Sequence, residues 1–141
     1  MKQFSFEHVI HPRYRDLDPN GHVNNAVYAT YLEEARTAYW REVVGGQLAE
    51  AGVAIVSLTI DFQAELDLSE QVIVAMRVDE LGESSIPQSY VIRTADHSIA
   101  TASVVMVAFD REARQSQPIP DRWRSAIRDY EAEKGTPWAI D

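Results

Sequence analysis

An apolar helix followed at once by strand after strand is the pattern that most narrows the folds open to this chain. Tyr28, Tyr31, Leu32, Ala35, Tyr39 and Val43 recur at steps of three and four, while Ala26, Val27 and Ala29 make the first turns apolar on most sides. The spacing predicts a mostly buried helix that stops at Gly45-Gly46, where a left-handed C-cap forms readily. From Ala54 the period changes to two. Ala54, Val56, Leu58, Ile60 and Phe62 alternate with Ile55, Ser57, Thr59, Asp61 and Gln63, which places the first set on the covered face of a strand. Val72, Val74, Met76 and Val78 form the next alternating set, and Leu81-Gly82-Glu83-Ser84 turns the chain. Ile86, Gln88, Tyr90 and Ile92 bring it back, with Pro87 marking an edge or a bulge near that strand's start. Asp96-His97-Ser98 reverses it once more into Ile99 to Phe109, and such short reversals imply antiparallel pairing.

The flanks complete the pattern. Phe4 to Arg15, with Phe4, Phe6, Val9, Ile10 and Tyr14 among polar residues, reads as a strand of imperfect alternation. Arg111 to Gln117 is polar and loop-like. Pro118 and Pro120 lead into a last helix from about Asp121 to Lys134, with Trp123, Ile127 and Tyr130 on one side and Gly135 as a stop. A strand, a buried helix and then a run of strands imply an α+β domain with the helix laid on one sheet face. A helix this apolar needs more cover than a flat face gives, so the sheet is expected to curl around it. An uncovered sheet edge is economically closed by a second subunit, so a homo-oligomer is expected. With 141 residues, no repeat and no linker, residues 1–141 read as a single domain.

Composition removes several classes of function. The chain has no cysteine, which excludes disulfides, thiolate metal sites and a cysteine nucleophile and is consistent with a reducing compartment. A formal charge of −9 argues against nonspecific nucleic-acid binding, which needs basic surface. Met1 to Ile10 does not read as a signal peptide, and no apolar run approaches the ~20 residues of a membrane span, so the expectation is a cytoplasmic protein.

The chemistry is concentrated in Asp16-Leu17-Asp18-Pro19-Asn20-Gly21-His22-Val23-Asn24-Asn25, which runs straight into the helix. Pro19 fixes its φ and Gly21 permits a positive one, so the chain can reverse sharply, and the short polar residues can bond the backbone rather than demand burial. The turn delivers carboxylate, imidazole and amide groups to a helix N-terminus, where free N–H groups favour negative charge. Asn24 is suited to cap that helix. Asp16 reads as structural, closing the turn or pairing with a basic neighbour. Asp16, Asp18, Asn20 and Gly21 also match the first positions of a calcium-binding EF-hand loop, but the position requiring a bidentate Glu is Val27 and the preceding segment reads as strand.

Arg15 through Arg36, with this turn and the Tyr28, Tyr31, Glu34-Ala35-Arg36 helix, resembles the hotdog-fold acyl-CoA thioesterases of the 4-hydroxybenzoyl-CoA thioesterase-like group. The Asp-x-Asn-x-His-Val-Asn-Asn pattern is also similar to plant acyl-carrier-protein thioesterases. The resemblance implies a curved antiparallel sheet of about five strands wrapped around one long central helix, plus the C-terminal helix. It implies protomers that join sheets as a homodimer or homotetramer with active sites at the interface. It places the catalytic acid on Asp18, assisted by Asn20 and His22, and an oxyanion donor on the backbone N–H of Asn25 or a neighbour.

The residues suit that chemistry. Asp18 can act as general base on water or attack the thioester directly, and helix-start N–H groups can hold the charge developing on oxygen. No metal or cofactor is demanded, and no G-x-S-x-G nucleophile elbow is present. Apolar side chains near Tyr28, Val56 and Leu58, with Ser57 and Asn24 beside them, are the expected substrate contacts. Phosphates of coenzyme A would call on Arg13, Arg15, Arg111, Arg114, Arg122, Arg124 or Arg128, and an acyl carrier protein is an alternative thiol carrier. Glu34 and Arg36, on a buried helix, are expected to satisfy one another or a partner strand. His8, His11 and His97 read as surface or turn residues. Besides the thioesterase, a noncatalytic acyl-thioester binder and a hotdog hydratase or dehydratase share the fold that the resemblance implies.

Overall fold

A computed structural model describes residues 4–134; the expected stop at Gly135 lies outside them. The chain forms strand β1 (Phe6–Ile10), helix α1 (Val27–Val43), strands β2 (Val53–Phe62), β3 (Val72–Val78), β4 (Ser85–Arg93), β5 (Ser98–Asp110) and β6 (Gln115–Ser116), and helix α2 (Asp121–Glu133). All pairings are antiparallel, in the order β1-β3-β4-β5-β2, with short β6 on β5. The curled sheet wraps α1, whose Tyr28, Tyr31, Leu32, Ala35, Tyr39 and Trp40 join the inward residues of β3, β4 and β5 in one core. α2 closes the open end, Trp123 meeting Trp40 edge to face at 4.7 Å.

Three local departures from the sequence expectation have physical causes. The strand expected over Phe4 to Arg15 is confined to Phe6–Ile10, because Pro12 follows and the chain then turns through a single 3-10 turn at Tyr14–Asp16. The expected loop from Arg111 contains the two-residue strand β6. The third concerns β2. Ile55 pairs with Met106 and Ser57 with Val105, so Val56 is the extra residue of a bulge. One inserted residue reverses the parity of a strand. Val53 and Ile55 therefore lie opposite buried Ala108 and Met106, whereas Ala54 and Val56 do not belong to the covered face; beyond the bulge Leu58, Ile60 and Phe62 do.

Pro87 sits in a central strand rather than at an edge, yet its missing donor does no damage. β3 ends at Val78 opposite Gln88, so Pro87 lies past its last rung, where its carbonyl accepts from Asp79 N–H at 2.8 Å.

Candidate active site

The turn before α1 is built by its own short side chains. Leu17 bridges to Val23, Asp18 N–H donates to the His22 carbonyl at 2.8 Å, and Gly21 N–H donates to the Asp18 carbonyl at 3.0 Å. Gly21 has φ 82°, a conformation the missing Cβ makes available. Asp18 Oδ1 then accepts the N–H groups of Asn20 (2.9 Å) and His22 (3.2 Å). Its Oδ2 has no hydrogen-bond partner among the described residues. Asp16 anchors the turn from below: buried, it accepts the Tyr31 hydroxyl at 2.7 Å and the Arg13 N–H at 2.9 Å, and its carbonyl takes Asn24 N–H. Burial pushes the Asp16 carboxyl up, but the Arg13 N–H, the Tyr31 hydroxyl and the Arg13 charge together outweigh it and hold the group below its ordinary value. The structural role expected for Asp16 is the one it has.

Asn24 caps the approach to the helix rather than the helix itself. Its Oδ1 accepts Ala26 N–H at 2.9 Å and its carbonyl accepts Val27 N–H at 2.9 Å, while the formal N-cap, Ala26, has no side-chain cap. With Asn24, Ala26 and Val27 all bonded, and Tyr28 N–H on the Asn25 carbonyl at 3.4 Å, the N–H of Asn25 alone in this run has no acceptor among the described residues.

Asp18, Asn20, His22, Val23, Asn25 and Tyr28 line one cleft of about 400 Å³ together with Phe62, Gln63, Ala64 and Glu65. Tyr28 and Phe62 meet edge to face at 5.2 Å. Burial, and then the negative charges of Glu65 and Asp18, push the Tyr28 hydroxyl up to about 12, so it stays a neutral group at physiological pH. His22 Nε2 lies 3.2 Å from Glu65 Oε2, so the imidazole has a carboxylate to steady it.

The structure brings together Asp18, Asn20, His22, Asn25 and Tyr28, with Asn24 behind them. Val56, Ser57 and Leu58 do not line this cleft: they lie along the free edge of the sheet, with Val56 62% and Leu58 47% exposed. The strand's contribution is instead its last residue, Phe62, with Gln63 to Glu65 just beyond its end. Periodicity had put Phe62 on the same face as Leu58, but which end of β2 meets the start of α1 is a matter of register that periodicity does not encode. None of the seven candidate arginines lines the cleft. Arg13 pairs with Asp16, and Arg111, Arg122 and Arg124 donate to the carbonyls of Ala49, Val44 and Gly82.

A family model described as the thioesterase-like superfamily matches residues 12–127. The chain belongs to that superfamily. It is similar to a Thermus thermophilus thioesterase solved in complex with coenzyme A and zinc, at 31% identity, with 94% of this chain and 98% of that one covered and a TM-score of 0.85. A putative thioesterase from Pseudomonas aeruginosa is 27% identical over 89% of this chain and 99% of its own, with a TM-score of 0.80. A 1,4-dihydroxy-2-naphthoyl-CoA thioesterase from Synechocystis, 20% identical over 88% of this chain and 96% of its own, shares the fold with a TM-score of 0.79. The hotdog fold expected from the resemblance is thus the fold of this chain. Among the described residues no helix is long and apolar enough to cross a membrane.

Proposed function

We propose that this member of the superfamily is an acyl-CoA thioesterase that hydrolyses an acyl thioester to free acid and thiol, with Asp18 and the Asn25 N–H as its working groups. One observation carries the reading: a carboxylate with one oxygen clamped by two backbone donors and the other unpartnered shares a cleft with an unpartnered N–H at a helix start. Asp18 Oδ2 accepts a proton from water as the water oxygen adds to the thioester carbonyl, or itself adds to that carbonyl, the adduct losing thiolate to leave an anhydride that water then opens. The carbonyl oxygen, as it gains charge, takes the Asn25 N–H, and one such preorganised donor lowers a barrier by about 3–4 kcal/mol. Collapse breaks the C–S bond and expels thiolate, which takes up a proton. His22, steadied by Glu65, and the backbone of Asn20 hold the loop and its carboxylate in place. The coenzyme A held by the Thermus thermophilus relative supports coenzyme A as the thiol.

The assembly belongs to the same proposal. β2 is an edge strand with Ile55, Val56, Leu58 and Phe62 exposed, a row of apolar side chains beside unpaired backbone groups. Two copies pairing β2 to β2 close both edges and give a homodimer.

Thiol release from short, long and aromatic acyl-CoAs is the test, with wild type and Asp18→Asn side by side. Release by wild type that falls by at least a hundredfold in the variant is expected. Equal rates in both remove Asp18 from the mechanism. Tight binding without turnover across the panel favours a noncatalytic acyl-thioester binder, and hydration of an enoyl-CoA in place of thiol release favours a hydratase.

A further inference from the structure

The concave side of the sheet holds a cation with no carboxylate bonded to it among the described residues. Arg36 is 8% exposed, and its Nη1 donates to the Tyr90 hydroxyl at 3.2 Å. Tyr90 in turn donates to Gln88 Oε1, and Gln88 Nε2 donates to the Ile86 carbonyl at 3.2 Å. Every partner in this relay is neutral. The pairing of Arg36 with Glu34 that the sequence suggested is not formed; the alternative, a partner strand, is, through Tyr90 of β4. A guanidinium stays charged at any physiological pH, and burying it without a counter-ion is unfavourable unless something else supplies the charge.

What it faces is a second cavity, of about 420 Å³, walled by Leu48, Val53, Ile55 and Met106, with Arg111 also lining it. Glu33 is the acid in that lining, and it is exposed, whereas Arg36 is buried. The cavity thus combines apolar walls with two guanidinium groups, and Thr37 and Gln47 add neutral polar groups to the lining. Its place relative to the Asp18 cleft is fixed by two elements that serve both: α1 supplies Tyr28 to one and Arg36 to the other, and β2 supplies Phe62 to one and Val53 and Ile55 to the other. Eight residues of helix separate Tyr28 from Arg36, a rise of about 12 Å.

We propose that this cavity receives a carboxylate on the far end of the acyl group, so that the substrate class is an acyl thioester bearing a distal acid; the assignment rests on the thioesterase reading above. Arg36 supplies the charge-assisted hydrogen bonds, the Tyr90–Gln88 relay holds the guanidinium in position, and the aliphatic walls take the methylene chain.

Two measurements test it and separate its failure from that of the thioesterase reading. In the first, octanoate and 1-octanol are titrated into the wild-type protein while the Arg36 Nε–H resonance is followed. Octanoate is expected to shift that resonance and to bind about tenfold or more better than the alcohol, the scale of a charged hydrogen bond. Equal binding of the two, or an unmoved Arg36 resonance, overturns the proposal. In the second, kcat/KM is compared for acyl-CoAs of equal length ending in carboxylate or methyl. Wild type is expected to prefer the carboxylate by about tenfold or more, and Arg36→Met to lose that preference. Hydrolysis of both esters without preference overturns the assignment while leaving the thioesterase reading intact. No thiol release from any thioester, with octanoate bound at Arg36, refutes the thioesterase reading and supports the anion site. Should Arg36→Met not fold, Arg111→Gln is expected to reduce the preference by a smaller factor, and the wild-type resonance still decides.

Discussion

The two oxygens of Asp18 differ in their partners, and a pair of substitutions tests the duties proposed for them. Oδ1 accepts two backbone N–H groups, those of Asn20 and His22, and Oδ2 accepts none among the described residues. Asp18→Asn keeps an oxygen for the two donors and puts an amide in place of the proposed base; Asp18→Ala removes both groups. The Asn20 N–H is exposed and recovers water when its acceptor is lost, whereas His22 is half-buried and recovers less. The Ala variant should therefore lose about 1–2 kcal/mol of stability and the Asn variant less than about 0.5 kcal/mol. For a domain of this length that separates their melting temperatures by roughly 3–8 °C. Activity should not follow stability: both variants should lose about 10²- to 10⁴-fold in kcat, the usual scale for a missing acid–base group. Thermal melts by circular dichroism and thiol release under saturating acyl-CoA give the four numbers. An Asn variant with wild-type turnover refutes the role of Oδ2, and one as unstable as the Ala variant refutes the division between the oxygens.

Other perturbations reach other parts of the argument. Glu131, fully buried on α2, accepts Ser5 Oγ, Tyr39 OH and Val78 N–H through Oε2; Glu131→Ala strands these donors and should lower unfolding free energy in urea by about 3–5 kcal/mol. The carboxyl of Asp16 is held below its ordinary value of 3.8, so its contribution is complete above that pH and is lost as pH falls through the lowered value. Stability curves of wild type and Asp16→Asn should stand apart at pH 7 and converge below pH 3.8. Leu58→Lys sets a charge at the apolar β2 edge, and analytical ultracentrifugation should find the proposed homodimer shifted toward monomer.

How legible this site was depends on how far apart in the chain its parts lie. The Asp18 turn could be read directly because its bonds close over two to four residues, Asn20 and His22 to Asp18, and local composition dictates local closure. The buried face of α1 was equally plain, since an apolar stripe at helical spacing must find cover, and a curled sheet is what covers it. Nothing comparable announced Phe62 and Glu65, which reach the same cleft from the far end of β2 and owe their place to the register of β2 on β5. The bulge at Val56 makes the same point in a single residue. Val and Ile are equally at home on either face of a strand, so the letters carry no mark of the inserted position, and an alternation extrapolated through it assigns Val56 to the concave face and Ile55 to the opposite one when the pairing does the reverse. Arg36 was visible as a charge on a buried helix, and the sequence left two partners open for it, Glu34 two residues away or a neighbouring strand. On a helix such neighbours point about 200° apart, and only the packed sheet reveals that the guanidinium turns toward Tyr90 and an apolar cavity instead. Groups that a turn assembles are therefore written in order along the chain, whereas the walls of the cleft and of the second cavity depend on strand register and on which way a buried side chain turns.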